Sequence, residues 1–181
     1  CKTQIMSNNK DGCSCGRNCC PQKQVEKKID IDFLYLDLNT CNRCQGAESN
    51  LEQAINEVSA VLTSAGYEVS VNKVNISSPE LAIKHSFLSS PTIRINGNDI
   101  SFDVTETACK DCGDICGDSV DCRSWVYEGV EHPEPPKEMI VNAILKEVYG
   151  GHSESPKSKK GYMLPDNLRA FFNGTAAKKE E

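Results

Sequence analysis

An apolar run that ends in two closely spaced thiols, with a helical pattern starting at once behind them, constrains this chain more than any other feature. Residues 29–51 read IDIDFLYLDLNTCNRCQGAESNL. Ile31 to Leu38 is apolar enough for a central strand of a sheet. Cys41 and Cys44 follow in a C-x-x-C spacing, with Arg43 between them. Ala47, Leu51, Ala54, Ile55, Val58, Val61, Leu62 and Ala65 then recur mostly three and four apart. That spacing predicts an amphipathic helix of about five turns, stopped by Gly66. A thiol pair at the start of such a helix meets unpaired backbone N–H groups and the positive end of the helix dipole, and both favour a thiolate. Arg43 adds a cation beside it. A C-x-x-C near a strand–helix–strand pattern reads as a redox motif, although half of a zinc site has the same spacing.

Downstream, Tyr67, Val69 and Val71 alternate as a second strand continuing towards Ile76. Ser78-Pro79-Glu80 opens a short helix carrying Leu81, Ala82 and Phe87, with Ser78 as N-cap and Pro79 at the first helical position. Ser90-Pro91 breaks it. Thr92 to Asn96 and Asp99 to Val104 alternate around Asn96-Gly97-Asn98, a strong hairpin signal. After Pro135-Pro136, Ile140, Val141, Ile144, Leu145 and Val148 predict a last helix with Gly150 as its stop.

Strand, C-x-x-C, helix, strand, helix, Ser-Pro, strand, strand is an order that resembles a thioredoxin-fold domain. The resemblance covers residues 29–104 plus 136–150. Ser90-Pro91-Thr92 sits where that superfamily keeps a cis-proline facing the thiol pair, and PTIRINGNDI is similar to the hairpin of thioredoxins and glutaredoxins. The resemblance implies an α/β, thioredoxin-like fold, a central four-stranded mixed sheet flanked by helices. It also implies Cys41 as the exposed nucleophile, Cys44 as the resolving thiol, Pro91 as a substrate-positioning residue, and no cofactor at the redox pair.

Cysteine is the compositional outlier, with 11 in 181 residues. Near-adjacent cysteines make poor partners for each other in structural disulfides, so tight clusters point to metal binding or thiol exchange in a reducing compartment. Residues 1–28 are polar and aperiodic and carry Cys13, Cys15, Cys19 and Cys20, four thiols within eight residues. Such soft ligands suit zinc, copper(I), mercury or trivalent arsenic. A second cluster lies in an insertion over residues 105–135, where Cys109, Cys112, Cys116 and Cys122 are spaced C-x2-C-x3-C-x5-C. Three readings fit it: a four-thiolate zinc knot that orders a loose loop, an iron–sulfur cluster, or a second exchange pair, Cys109 and Cys112, serving Cys41 and Cys44. The spacing does not match the bacterial ferredoxin run. Asp111, Asp114, Asp118 and Asp121 make this segment acidic, which opposes empty thiolates and favours a bound cation. Trp125 and Tyr127 are expected to pack the insertion onto the domain. The tail and CRSWVYEG together resemble an uncharacterised cysteine-rich, thioredoxin-like family of anaerobic bacteria and archaea, which implies a link to metal or metalloid handling.

The net charge of −6 argues against a nucleic-acid partner, and no apolar run approaches the roughly 18 residues needed to span a bilayer. Free clustered thiols favour the cytoplasm and Met6 as the native start, against a lipoprotein tethered through Cys1. Residues 151–162 read as a linker. Leu164, Leu168, Phe171 and Phe172 behind it form a short amphipathic helix expected to dock on the domain or on a partner. Two functions follow as expectations. One is a thiol–disulfide oxidoreductase acting through Cys41 and Cys44 on a redox partner protein or a small thiol or metalloid substrate. The other is a soft-metal or metalloid carrier without turnover.

Overall fold

In the computed structural model, which describes residues 27–150 and 161–178, β1 (Lys27–Tyr35) runs through the middle of a four-stranded mixed sheet. The strand order is β2-β1-β3-β4. β2 (Tyr67–Asn75) lies parallel to β1, with Lys27 opposite Tyr67 and Tyr35 opposite Asn75. A parallel pair needs a crossover, and α1 (Asn42–Ser64) supplies it. α2 (Pro79–Lys84) starts at Ser78, whose hydroxyl accepts from the Leu81 N–H. β3 (Thr92–Ile95) returns antiparallel on the other side of β1, placing Ile31 opposite Ile95. The peptide bond between Ser90 and Pro91, just before β3, is cis.

The hairpin turns at Asn96 and Gly97, both with positive φ (51° and 81°), the geometry that Asn-Gly tolerates and that matches strand twist. The strand expected over Asp99 to Val104 is cut short, because β4 is only Asn98–Asp99. Asp99 accepts from the Ser101 N–H at 3.0 Å and from both terminal nitrogens of Arg123 at 2.8 and 2.9 Å. The Ser101 carbonyl accepts a further Arg123 N–H at 3.2 Å. Side-chain bonding has captured the backbone that would have continued the ladder.

Alternation along β1 divides the interior in two. Ile29, Ile31 and Phe33 pack with Leu51, Ala54 and Leu62 of α1, Ile93 and Ile95 of β3, and Ile140 and Ile144 of α4 (Lys137–Tyr149). Leu34 and Leu36 join the second cluster, with Ala82 of α2 and Phe87. The insertion is a folded unit, with elements of its own: β5 (Thr105–Ala108), α3 (Lys110–Cys116), β6 (Asp121–Tyr127) and β7 (Val130–His132). Its three strands make a second sheet in the order β5-β6-β7.

Arg123 and Trp125, both fully buried on β6, tie this unit to the main sheet. The guanidinium lies 4.2 Å from the Trp125 ring centre, and Trp125 enters the aliphatic core. Tyr127 is partly buried against the same core, and its hydroxyl accepts from Asn142 of α4. α5 (Asp166–Ala177) buries Leu168, Phe171 and Phe172 in the second cluster, against α3. Among the described residues no helix is long and apolar enough to cross a membrane.

Candidate metal centre

Three helix and strand ends meet at one point and bring four thiols with them. Cys41 is the residue on which α1 starts, Cys109 the residue on which α3 starts, Cys112 lies in the first turn of α3, and Cys122 is the second residue of β6. All four are buried, and their sulfurs lie within 4.8 Å of one another. Cys41 and Cys112 Sγ are 3.8 Å apart, and Cys112 and Cys122 Sγ 3.2 Å apart. A disulfide would need a separation of about 2.05 Å, so these are free thiols in contact. A tetrahedral ion with metal–sulfur bonds of about 2.3 Å spaces its ligands about 3.8 Å apart, so small adjustments of these side chains would accommodate one.

The local sequence explains the convergence. Neither Cys41 nor Cys109 caps its helix with its side chain, so both thiols are left for the cluster. The amide of Asn42, the first of α1, donates instead to the Asp111 carboxylate of α3 at 2.8 Å. Asp37 accepts from the amides of Thr40 and, at 3.4 Å, Cys41. Arg43 was expected to stabilise a thiolate as a neighbouring cation. Its guanidinium donates to the Thr107 hydroxyl at 2.9 Å, the Ala108 carbonyl at 2.9 Å, and the Thr107 and Cys122 carbonyls at 3.3 Å. It therefore fastens the first turn of α1 to β5 and β6, and so sets Cys41 against Cys122.

Cys41, expected as an exposed nucleophile, is 0 % exposed. Cys44 is also buried but is outside the four-sulfur set, its Sγ lying 3.4 Å from the Ser90 hydroxyl. Ser90 Oγ also accepts from the Leu36 amide, and the Ser90 carbonyl accepts from the Arg123 amide. Pro91, next along, is buried at the head of β3. Cys116 lies at the far end of α3, with the Gly113 and Asp118 carbonyls at 3.8 and 3.6 Å from its sulfur. The expected quartet of insertion cysteines thus does not close on itself, and Cys41 stands where Cys116 was expected. Cys13, Cys15, Cys19 and Cys20 lie outside the described residues.

Charge is shared unevenly among the thiols. Hydrogen bonds from the thiols of Cys109, Cys112 and Cys122, and then Cys44, hold Cys41 far below the usual thiol range. Cys109 is lowered to about 7, chiefly by the Cys112 and Cys122 thiols. Cys112 and Cys122 are pushed up, first through their bonding to Cys109. Cys44 is pushed up by its hydrogen bond with Cys41 and by burial. Four like charges do not gather in an apolar pocket unaided, and the directions of these shifts put negative charge first on Cys41 and keep protons on Cys112 and Cys122.

Sequence reasoning missed Asp111 as the cap of α1, Ser90 as the partner of Cys44, and Arg43 as a clamp. It also missed Glu134, whose carboxylate lies in the space that a Cβ on Gly46 would fill. Burial pushes that carboxyl up, and Arg43 partly offsets the shift. Only Gly46 hints at such a close approach, and one glycine in a helix carries many meanings.

Residues 29–144 match the family described as a domain of unknown function (DUF2703). No curated protein and no solved structure matches the chain.

Proposed function

The chain belongs to the DUF2703 family, and we propose that it binds one thiophilic ion through Cys41, Cys109, Cys112 and Cys122. The observation that carries this reading is the convergence of four buried sulfurs, all within 4.8 Å, from three separate elements. Burying four polar, acidic groups together has a cost unless something binds them. An all-sulfur donor set suits zinc, copper(I), mercury or trivalent arsenic, and magnesium and calcium prefer oxygen. Sulfurs this close surround a single ion, whereas an iron–sulfur cluster places a cage of iron and sulfide between its ligands. Zinc in this site would supply a fixed tetrahedral link between α1, α3 and β6. The chain's own part is to hold Cys41 in place through Arg43 and to shield the sulfurs from water.

Native mass spectrometry of protein purified under reducing conditions tests the proposal. One ion per chain should persist in a variant with serine at positions 13, 15, 19 and 20, and should be lost in Cys112→Ser. An ion count unchanged by Cys112→Ser, or no bound ion at all, would remove the reading.

A second reading, thiol–disulfide exchange by Cys41 and Cys44, is favoured by a different observation. The pair sits at the start of α1, and Cys44 is in contact with Ser90 beside Pro91. The parallel β1–β2 pair, the antiparallel β3–β4 hairpin and the position of α1 support a thioredoxin-like topology for this unit. Cys41 belongs to both thiol sets, so the two uses exclude each other. A Cys41–Cys44 disulfide removes one of the four ligands, and a bound ion occupies the nucleophile. Loss of dithiol-dependent disulfide reduction in Cys41→Ser, measured on ion-free protein with a small disulfide, is the expected outcome. Retained reduction would remove the reading.

A further inference from the structure

The four thiols of the centre are not equally shut in. Cys41, Cys112 and Cys122 are 0 % exposed, whereas Cys109 is 6 % exposed and lies in the wall of a cleft of about 750 Å³. That cleft runs between the ends of α3 and the C-terminal end of α5, and no other thiol of the quartet lines it. Its charged lining comprises Lys110 and Lys178 on one side of the balance and Asp114 and Asp118 on the other, with Ser119 between. The Lys178 ammonium is held by the Asp114 carbonyl at 2.7 Å, and the Asp118 carboxylate accepts from the Ser119 amide. The cleft is therefore lined by two cations and two anions beside the one residue of the quartet that has any exposed surface.

An ion held by four buried thiolates leaves slowly by itself, because each metal–sulfur bond must break in an apolar pocket with nothing to replace it. Replacement by an incoming sulfur avoids that, and it has to start at the ligand an outside molecule can touch. We infer that the cleft beside Cys109 is a binding site for a low-molecular-weight thiol bearing both ammonium and carboxylate groups, and that this thiol removes or delivers the ion. The inference rests on the metal reading above. As the ion leaves, the bond between it and Cys109 breaks while a bond to the incoming sulfur forms. The three remaining ion–sulfur bonds are then exchanged in turn for further thiol or for a chelator. The protons given up by the incoming thiols pass to the freed cysteines or to solvent, and nothing is oxidised or reduced. Lys110 and Lys178 suit the carboxylate of such a molecule, and Asp114 and Asp118 its ammonium.

The test uses the full chain loaded with zinc, a chromophoric zinc chelator at fixed concentration to record release, and free cysteine at rising concentration as the probe. Release should accelerate in proportion to cysteine, and 2-mercaptoethanol, an uncharged thiol, should accelerate it about tenfold less. Ser119→Trp, which fills the cleft, should slow the cysteine-driven rate about tenfold and leave the equilibrium affinity for zinc unchanged. Equal acceleration by the two thiols on the unaltered protein overturns the inference, and so does a rate insensitive to Ser119→Trp at unchanged affinity. A protein that retains no zinc overturns the metal reading, and this inference with it. Zinc retained but released at a rate independent of thiol overturns this inference alone.

Discussion

The two halves of the interior are built from different materials. One, between α1, α4 and the sheet, is aliphatic and aromatic: Ile29, Ile31, Phe33, Leu51, Ile93, Ile140 and Trp125 are buried in it, and none of its buried residues is a cysteine. The other, between α2, α3 and α5, contains all six cysteines of the described residues. Hydrocarbon burial is non-directional and holds wherever water is excluded. Thiols in contact are a weaker and conditional adhesive, whose charge has to be neutralised by protons or by an ion. The comparison teaches that one half holds the fold by hydrocarbon burial alone, whereas the proposed ion would make the other half depend on what is bound.

The largest effect should come from breaking the sulfur half. Cys112→Ser should weaken ion binding at least about a thousandfold, or about 4 kcal/mol, measured by competition with a chromophoric chelator. In hydrogen exchange the same variant, or chelation of the unaltered protein, should strip protection from α3 and β6 and leave that of β1 and β3. Phe33→Ala attacks the other half and should cost about 3–5 kcal/mol in chemical unfolding, by the same amount with and without chelator. A cost that changed with the ion would mean that the two halves are coupled.

Acid should act on the sulfur half only. Cys41, held below the ordinary thiol range, meets the ion already ionised, and Cys109, at about 7, is half ionised at neutrality. Cys112 and Cys122, held above that range, must lose their protons to bind. Binding therefore releases about two to three protons, and affinity should rise by about two to three powers of ten per pH unit near neutrality and fall equally steeply on acidification. A competition titration in which the affinity stays flat across this range would contradict the assignment of charge. The smallest effect is expected where α5 covers the thiols. A Cβ on residue 174 would run into the Cys116 carbonyl, so Gly174→Ala should loosen α5 at a cost of about 1–3 kcal/mol, seen as lost protection in that helix alone.

Much of the aliphatic half was legible in the chain. The 3.6-residue spacing of Ala47, Leu51, Ala54 and Val58 and the Asn-Gly turn at 96–97 are local signals, and the elements stand where those signals put them. The sulfur half was legible only as a count. C-x2-C at Cys109 and Cys112 announces two ligands on one helical turn, but the third and fourth are set by partners 68 and 10 residues distant in the chain, and neither spacing is a local signal. For the same reason Asp99 was read as the beginning of a strand, because the bidentate claim of Arg123 on it spans 24 residues.

The sequence by itself determined that a strand would run into a thiol pair and a long helix and that a cysteine-bearing unit would interrupt the chain before the last helix, whereas the four-stranded mixed sheet was expected from the thioredoxin-fold resemblance. Periodicity, capping and turn chemistry act over a few residues, and they are written into the chain directly. Only the tertiary structure decided which thiols meet. Arg43 holds the start of α1 against β5 and β6, Asp111 caps α1 from α3, and these contacts bring Cys41 to the insertion and leave Cys116 and Cys44 aside. A sulfur site needs its donors within a few ångströms, and distances of that size between remote residues exist only after the chain has packed.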